Sequence, residues 1–312
     1  MRWAALLLSG ILVLRGPAPQ GGMPPLVAAA AELQHPIGIL PPPPALDERR
    51  RALGERLFAD PRLSGDGSRA CASCHDLRTN GATSRRRDTG LDGLDLPLNT
   101  VTVFNASLNF RLGWEGRARS LAAQIEALLR NPAIMGARPE LVLARLSADP
   151  STVAAFREAY GRPPDGEALL DALATFQRSL VTPGSRFDRW LAGEAGAITP
   201  EEQAGYALFR GIGCVACHQG ANVGGNLFQR HGIFHALAAP EPQVLRVPSL
   251  RNVAVTAPYF HDGSAATLEE AVRGMGFAQL NLVLDDAQIA SIVAFLRTLT
   301  GSYRGTPLTP PP

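Results

Sequence analysis

The sequence predicts a mainly α-helical fold built from two related halves. Three observations lead there. Apolar residues recur at helical spacing along most of the chain. Each half then runs in the same order: a helix, a Cys-x-x-Cys-His motif and a long polar loop. Finally, no segment shows the strict alternation of apolar and polar residues that marks a half-buried strand.

Taken in order, Arg2 and the apolar run Trp3–Leu14 read as the charged and hydrophobic parts of a secretion signal. Twelve apolar residues are too few to span a bilayer, which needs about 20, so a cleaved leader fits better than an anchor. The stretches Ala18–Gly22 and Ala28–Ala31 are both candidate cleavage regions. Pro41–Pro44 is an extended linker. Asp47 to Phe58 is helical and is stopped by Asp60-Pro61. The first Cys-x-x-Cys-His follows at 71–75, and 76–100, rich in Gly, Asp, Arg and Thr, is loop. Leu121, Ile125, Leu128 and Leu129 keep helical spacing up to Asn131-Pro132, and further helices are expected near 139–147 and 166–180.

Thr182-Pro183-Gly184 breaks the chain. Thr199-Pro200-Glu201-Glu202 then combines a capping box with proline at the first helical position. That helix runs into Gly211 and Gly213 and delivers the second motif at 214–218. Thr267 with Glu270 opens a short helix ahead of Met275, and Ile289, Ile292, Val293, Leu296 and Leu299 line the last one. The expected organisation is a signal peptide over 1–31, a linker over 32–46, domains over 47–182 and 183–303, and a tail over 304–312.

With 46% hydrophobic and 19% charged residues the chain is globular. Its net charge of +2 offers no field for nucleic acid or an anionic membrane. No segment after the leader is apolar enough to span a membrane.

The chemistry lies in Cys71-Ala-Ser-Cys74-His75 and Cys214-Val-Ala-Cys217-His218. Such a motif attaches a c-type haem: two thiols add to the vinyl groups and the adjacent histidine ligates iron. Zinc ribbons place their cysteine pairs about 15–20 residues apart, whereas Cys74 and Cys214 are 140 apart. A redox dithiol would need a βαβ pattern, which is absent. The halves are therefore expected to be two cytochrome c-like helical domains, each with one covalent haem. These are the only four cysteines, so none remains for a disulfide.

The histidines are His35, His75, His218, His231, His235 and His261. None lies between His75 and His218, so the first domain has no histidine for a second axial position, although Met135 or a residue of the other domain is available. An iron left five-coordinate binds peroxide or oxygen, and a six-coordinate one carries electrons. Met275, flanked by Gly274 and Gly276, is the candidate second ligand of the second iron, giving a higher potential.

From about Leu53 to Gly301 the chain resembles the bacterial di-haem cytochrome c peroxidase and MauG superfamily. The resemblance is carried by Phe58-Ala-Asp-Pro-Arg-Leu63, Trp114-Glu-Gly-Arg117, Thr182-Pro-Gly-Ser-Arg-Phe-Asp188 and Asn222-Val-Gly-Gly225. Pro248-Ser-Leu-Arg-Asn252, Thr256-Ala-Pro-Tyr-Phe-His261 and Met275-Gly-Phe-Ala-Gln-Leu280 carry it further. The resemblance implies a peroxide-reactive haem in the first domain, an electron-transfer haem in the second and a tryptophan between them, here Trp114. It implies an active-site glutamine at Gln124. It also implies a calcium ion at the domain interface, held by Asn99 with backbone oxygens near Thr256 and Pro258.

The departures are informative. The peroxidases place a blocking histidine sixteen residues after the first motif's histidine, where this chain has Leu91. Its absence, shared with MauG, implies a site open in every oxidation state. The family's acidic glutamate falls on Ile134, which cannot transfer a proton, leaving Glu126 or water to substitute, or slow peroxide cleavage. MauG has tyrosine where this chain has Met275. The combination lies closest to the MauG-like, MbnH-like branch.

The expected activity is a secreted, periplasmic oxidoreductase that takes hydrogen peroxide at the first haem and oxidises a protein partner, at tryptophan or another aromatic side chain, through the second. The second reading is a peroxidase drawing electrons from a small cytochrome or cupredoxin. A carrier without catalysis is the third. Dimerisation is compatible with the sequence.

Overall fold

The computed structural model describes residues 35–311. The signal peptide and the start of the linker lie outside them. Helices α1 (Glu48–Phe58), α2 (Leu121–Arg130), α3 (Pro139–Ser147), α4 (Pro150–Tyr160) and α5 (Gly166–Arg178) belong to the first half. Helices α6 (Arg186–Leu191), α7 (Pro200–Gly211), α8 (Leu268–Leu280) and α9 (Asp286–Arg297) belong to the second.

Local chemistry starts these helices where the sequence places them. Asp47 accepts from the main-chain N–H of Arg49 and Arg50 at the head of α1. Thr199 with Glu202, and Thr267 with Glu270, close reciprocal capping boxes on α7 and α8. Three features differ from the expectations drawn from sequence. Helix α4 is additional, although Asp149 caps it with Pro150 at its first position and Gly161 ends it in the left-handed region. Helix α6, capped by Ser185, is additional as well. And α8 does not stop ahead of Met275: it continues to Leu280 and ends on Asn281 at φ 55°.

Two short antiparallel ribbons add strand content that the sequence does not signal. One pairs β1 (Phe228–Arg230) with β2 (Val244–Arg246), and the other pairs β3 (Ser302–Tyr303) with β4 (Thr306–Pro307). Runs of two or three residues are too short for an alternating pattern to register.

Two hydrophobic cores form. The first is built from residues between Leu53 and Leu180, with Val255 and Leu308 joining it. The second gathers Ile37, Phe187 and residues from Ile198 to Leu299. Each centres on one helix crossing made possible by a glycine. A Cβ on Gly54 of α1 would lie 2.0 Å from the Ala172 carbonyl oxygen of α5, and one on Gly205 of α7 would lie 2.0 Å from the Ser291 carbonyl oxygen of α9. Only glycine permits either approach.

The halves are pinned where two asparagines meet Thr182. Asn105 and Asn252 both take the left-handed conformation, at φ 60° and 62°. Both donate from Nδ2 to the Thr182 hydroxyl, at 2.8 and 3.0 Å.

Candidate redox centre

Both cysteine motifs fold the same way. Cys71–Ser73 and Cys214–Ala216 are single 3₁₀ turns, and the main-chain N–H of His75 and of His218 each donates to the first cysteine's carbonyl at 3.0 Å. The turn puts both sulfurs and the imidazole on one side of the chain. All four cysteines are half-buried and none is paired in a disulfide. Burial pushes an unattached Cys71 thiol up to about 12 and those of Cys74 and Cys214 up to about 11, so each would meet a haem vinyl group as the thiol.

The helix crossings aim the histidines. Phe58, at the end of α1, packs edge-on to Phe176 of α5 at 5.4 Å and against the His75 ring at 6.4 Å. In the second half Phe209 packs on Phe295 of α9 at 5.2 Å and against His218 at 6.4 Å. Burial lowers the pKa of both imidazoles, His218 to about 4, so both are neutral. His75 Nδ1 lies 2.9 Å from the Gly81 carbonyl oxygen, which can only accept, so Nδ1 carries the proton and Nε2 is left as a ligand. His218 Nδ1 faces the carbonyls of Val223 and Pro248 without completing a hydrogen bond to either. Two thiols beside a neutral imidazole with one nitrogen free is the donor set a covalent haem takes.

Around the first motif, the Leu91 N–H donates to the Ala133 carbonyl at 2.8 Å. This holds Leu91 against the turn Asn131–Gly136 that carries Ile134 and Met135, and a Cβ on Gly136 would lie 3.1 Å from the Leu91 side chain. Met135 is buried in the first core, and Ile134 packs against it half-buried. Gln124 on α2 lies beside Gly113, next to Trp114. Glu126 sits two residues further along α2, roughly 200° around the helix. It is exposed and paired with Arg130 at 3.1 Å. Glu126 is therefore not the substitute acid the sequence left open: its helix turns it away from the face Gln124 presents.

In the second half, Met275 is half-buried in α8. Its glycine neighbours serve packing: a Cβ on Gly274 would meet Leu237 at 3.1 Å and Phe260 at 3.3 Å, and one on Gly276 would meet Leu284 at 2.9 Å.

The halves meet at Trp114. Its indole N–H donates to the Asn99 carbonyl at 2.8 Å, and its own carbonyl accepts from the Arg246 N–H at 2.8 Å. Its ring stands edge-on to His261 at 6.3 Å, and His261 in turn lies 4.7 Å from His231. The His261 carbonyl accepts from the Asn99 N–H at 2.8 Å. The arrangement is a two-fold repeat. Leu112 bridges Ala118 as Tyr259 bridges Ala265, and Trp114 occupies the position of His261, each 147 residues before its counterpart. Sequence reasoning gives no role to His261, His231 or Arg246. The constant spacing from Asn105 to Asn252 and from Trp114 to His261 is the available signal.

Of the residues expected around calcium, Asn99 is buried and bonded to the loop that follows Thr256 and Pro258. Its amide Nδ2 donates to the carbonyls of Arg85 and Arg86 at 3.3 and 3.1 Å. Among the described residues no three His, Cys, Asp or Glu side chains gather as a metal site.

Comparison with known proteins agrees with this geometry. The family model described as di-haem cytochrome c peroxidase matches residues 48–196, and the cytochrome c model matches residues 202–300. Cytochrome c551 peroxidase of Nitrosomonas europaea is 39% identical over 279 residues, 83% of each chain. Methylamine utilization protein MauG of Methylorubrum extorquens is 34% identical over 300 residues, 88% of this chain and 85% of that one. The crystal structure of a MauG-like protein associated with microbial copper homeostasis superposes with a TM-score of 0.75 at 29% identity, covering 84% of this chain and 94% of the other. The chain therefore belongs to the di-haem cytochrome c peroxidase and MauG family. It is a mainly helical haem oxidoreductase of the peroxidase class, with two cytochrome c-type domains and two c-type haems.

Proposed function

We propose that this protein is a periplasmic, MauG-like enzyme that reduces hydrogen peroxide in its first domain, residues 47–182, and oxidises a protein partner through its second, residues 183–303. Cys71, Cys74 and His75 hold one haem. Cys214, Cys217, His218 and Met275 hold the other. The haem held by His75, when bound, supplies the iron at which peroxide is reduced.

The observation that carries the reading is Leu91. It packs on the Asn131–Gly136 turn, where the peroxidases have a blocking histidine. His231 and His261 lie at the Trp114 junction instead, and His235 stacks on Phe277 of α8. An aliphatic side chain cannot ligate iron, so the distal position stays open to peroxide. Gln124 orients peroxide in the pocket, and Ile134 supplies no proton. Trp114, held at both its indole N–H and its carbonyl, is the rigid link between the halves. Asn99 and the carbonyls of Thr256 and Pro258 bind the calcium that fastens the loops there. Among the described residues no helix is long and apolar enough to cross a membrane.

The second reading, a peroxidase fed by a small cytochrome or cupredoxin, is favoured by Met275 and by the 39% identity to a cytochrome c551 peroxidase. Electron paramagnetic resonance of the ferric holoprotein tests the open site. A high-spin first haem beside a low-spin second is expected, and two purely low-spin haems would overturn it. Peroxide turnover with a reduced small cytochrome, set against mass spectrometry of co-expressed partners, separates the two readings: rapid oxidation of the cytochrome with no modified partner favours the peroxidase.

A further inference from the structure

Two arginines are buried in the second half, and they differ in one respect. Arg251, 2% exposed, has its carboxylate: Nη2 lies 2.9 Å from Asp188 Oδ1, with the Gly38 and Ala221 carbonyls and the Ser185 hydroxyl accepting from it as well. Arg246, 4% exposed, has none among the described residues. Its Nε donates to the Gly113 carbonyl at 3.1 Å, and its Nη1 donates to Asn109 Oδ1 at 3.3 Å and to the Val247 carbonyl at 3.2 Å. Nη2 has no acceptor among the described residues. Burial pushes the guanidinium down to about 10, with no acid opposing the shift. Removing an ion from water is costly, and neutral carbonyls offset only part of that. Nη2, the guanidinium nitrogen without an acceptor among the described residues, is the atom at which an anion can be received.

Its neighbours identify the anion. Asn109 Oδ1 also accepts from Asn222 Nδ2 at 2.9 Å, and the Val247 carbonyl accepts from the Gly225 N–H at 2.8 Å. Asn222 and Gly225 belong to the loop that directly follows His218. The next carbonyl along the chain, that of Pro248, faces the His218 ring. A Cβ on Gly225 would overlap Asn109 Oδ1 at 1.9 Å, so the cradle closes only around glycine. The guanidinium therefore lies behind the ligand loop of the second motif, and every c-type haem brings two propionate carboxylates into such a site. We infer that Arg246 is the counter-ion of a propionate of the haem held by His218, with Nη2 as the free donor. The inference rests on reading that motif as a haem site. Arginine suits the role because its planar fork matches a carboxylate and it stays charged. Its main-chain bond to the Trp114 carbonyl then ties that propionate to the junction between the halves.

Spectroelectrochemical titration of the holoprotein tests this. The ferric haem is one charge more positive than the ferrous, so removing a nearby cation favours the ferric state. Arg246→Met should lower the midpoint potential of the second haem and make it depend on pH near neutrality, because the released propionate takes up a proton on reduction. Arg246→Lys, which keeps the charge, should retain most of the wild-type potential. An unchanged potential in Arg246→Met, an equal fall in Arg246→Lys, or a shift confined to the first haem overturns the assignment. If Arg246→Met does not fold, redox-difference infrared spectra of the unmodified protein, with haem ¹³C-labelled at the propionate carboxyls, decide the matter. Ionised carboxylate bands in both redox states at mildly acid pH support the pairing, and a protonated band refutes it. Haem stoichiometry separates this failure from that of the parent reading: one haem per chain removes both, whereas two haems with no shift removes only the role of Arg246.

Discussion

The two halves of this protein use one scaffold for two environments. In each, a glycine lets two helices cross closely, a phenylalanine from each helix meets at that crossing, and the pair sets the ring behind it. The distance from that phenylalanine to the histidine is 6.4 Å in both. The difference lies in the residues proposed for the distal side of each haem. The first half packs Leu91 on the turn that carries Ile134, and neither of these two side chains can ligate iron or move a proton. The second presents Met275 from inside a continuous helix. A shared core sets the phenylalanine behind each histidine, while Leu91 with the 131–136 turn in one half and helix α8 in the other supply the residues proposed for the distal side. Chemistry can thus diverge without disturbing the packing that holds the fold.

The largest test of that contrast is Ile134→Glu. A positioned acid contributes about 10²–10⁴-fold, so peroxide reduction should accelerate by that order in stopped-flow mixing, with the second haem's ligation untouched. A folded variant with no acceleration shows that position 134 does not face the reacting peroxide.

Next come Gly54→Ala and Gly205→Ala. Each places a methyl 2.0 Å from a carbonyl oxygen of the crossing helix, and overpacking of this kind costs about 3 kcal/mol. Denaturant unfolding should give similar losses for the two. A loss at one site and tolerance at the other would break the equivalence of the crossings.

Met275→Ala should then lower the second haem's midpoint potential and abolish its near-infrared charge-transfer band, because a thioether favours ferrous iron more than water does. The first haem's potential should not move. An unchanged second potential would make Met275 packing alone. The smallest effect on stability is expected for Trp114→Phe, which removes the hydrogen bond to Asn99, worth about 1 kcal/mol. Peroxide should still react in the first half, but oxidation of the second haem should lag behind it. Simultaneous oxidation of both would mean that Trp114 only fills space.

Much of this is legible in the residues alone, because it is local. Five consecutive residues suffice to attach a haem, and capping boxes act across three residues, so both motifs and the starts of α1, α7 and α8 can be read directly. Leu91 and Ile134 are legible only through the family resemblance. Helix α4 carries a readable start in Asp149-Pro150 and a readable stop in Gly161, with Thr152 and Phe156 buried on one face. What tertiary structure alone decided depends on residues far apart in the chain. The approach of Trp114 to His261 and the closure of Gly54 on Ala172 are consequences of how helices and loops pack. The charge state of the neighbourhood is decided the same way. Arg246 and Arg251 are five residues apart and chemically identical, yet one is buried against neutral carbonyls and the other against Asp188. An arginine's partner is set by which chain segments the fold brings to it, and no local pattern carries that information.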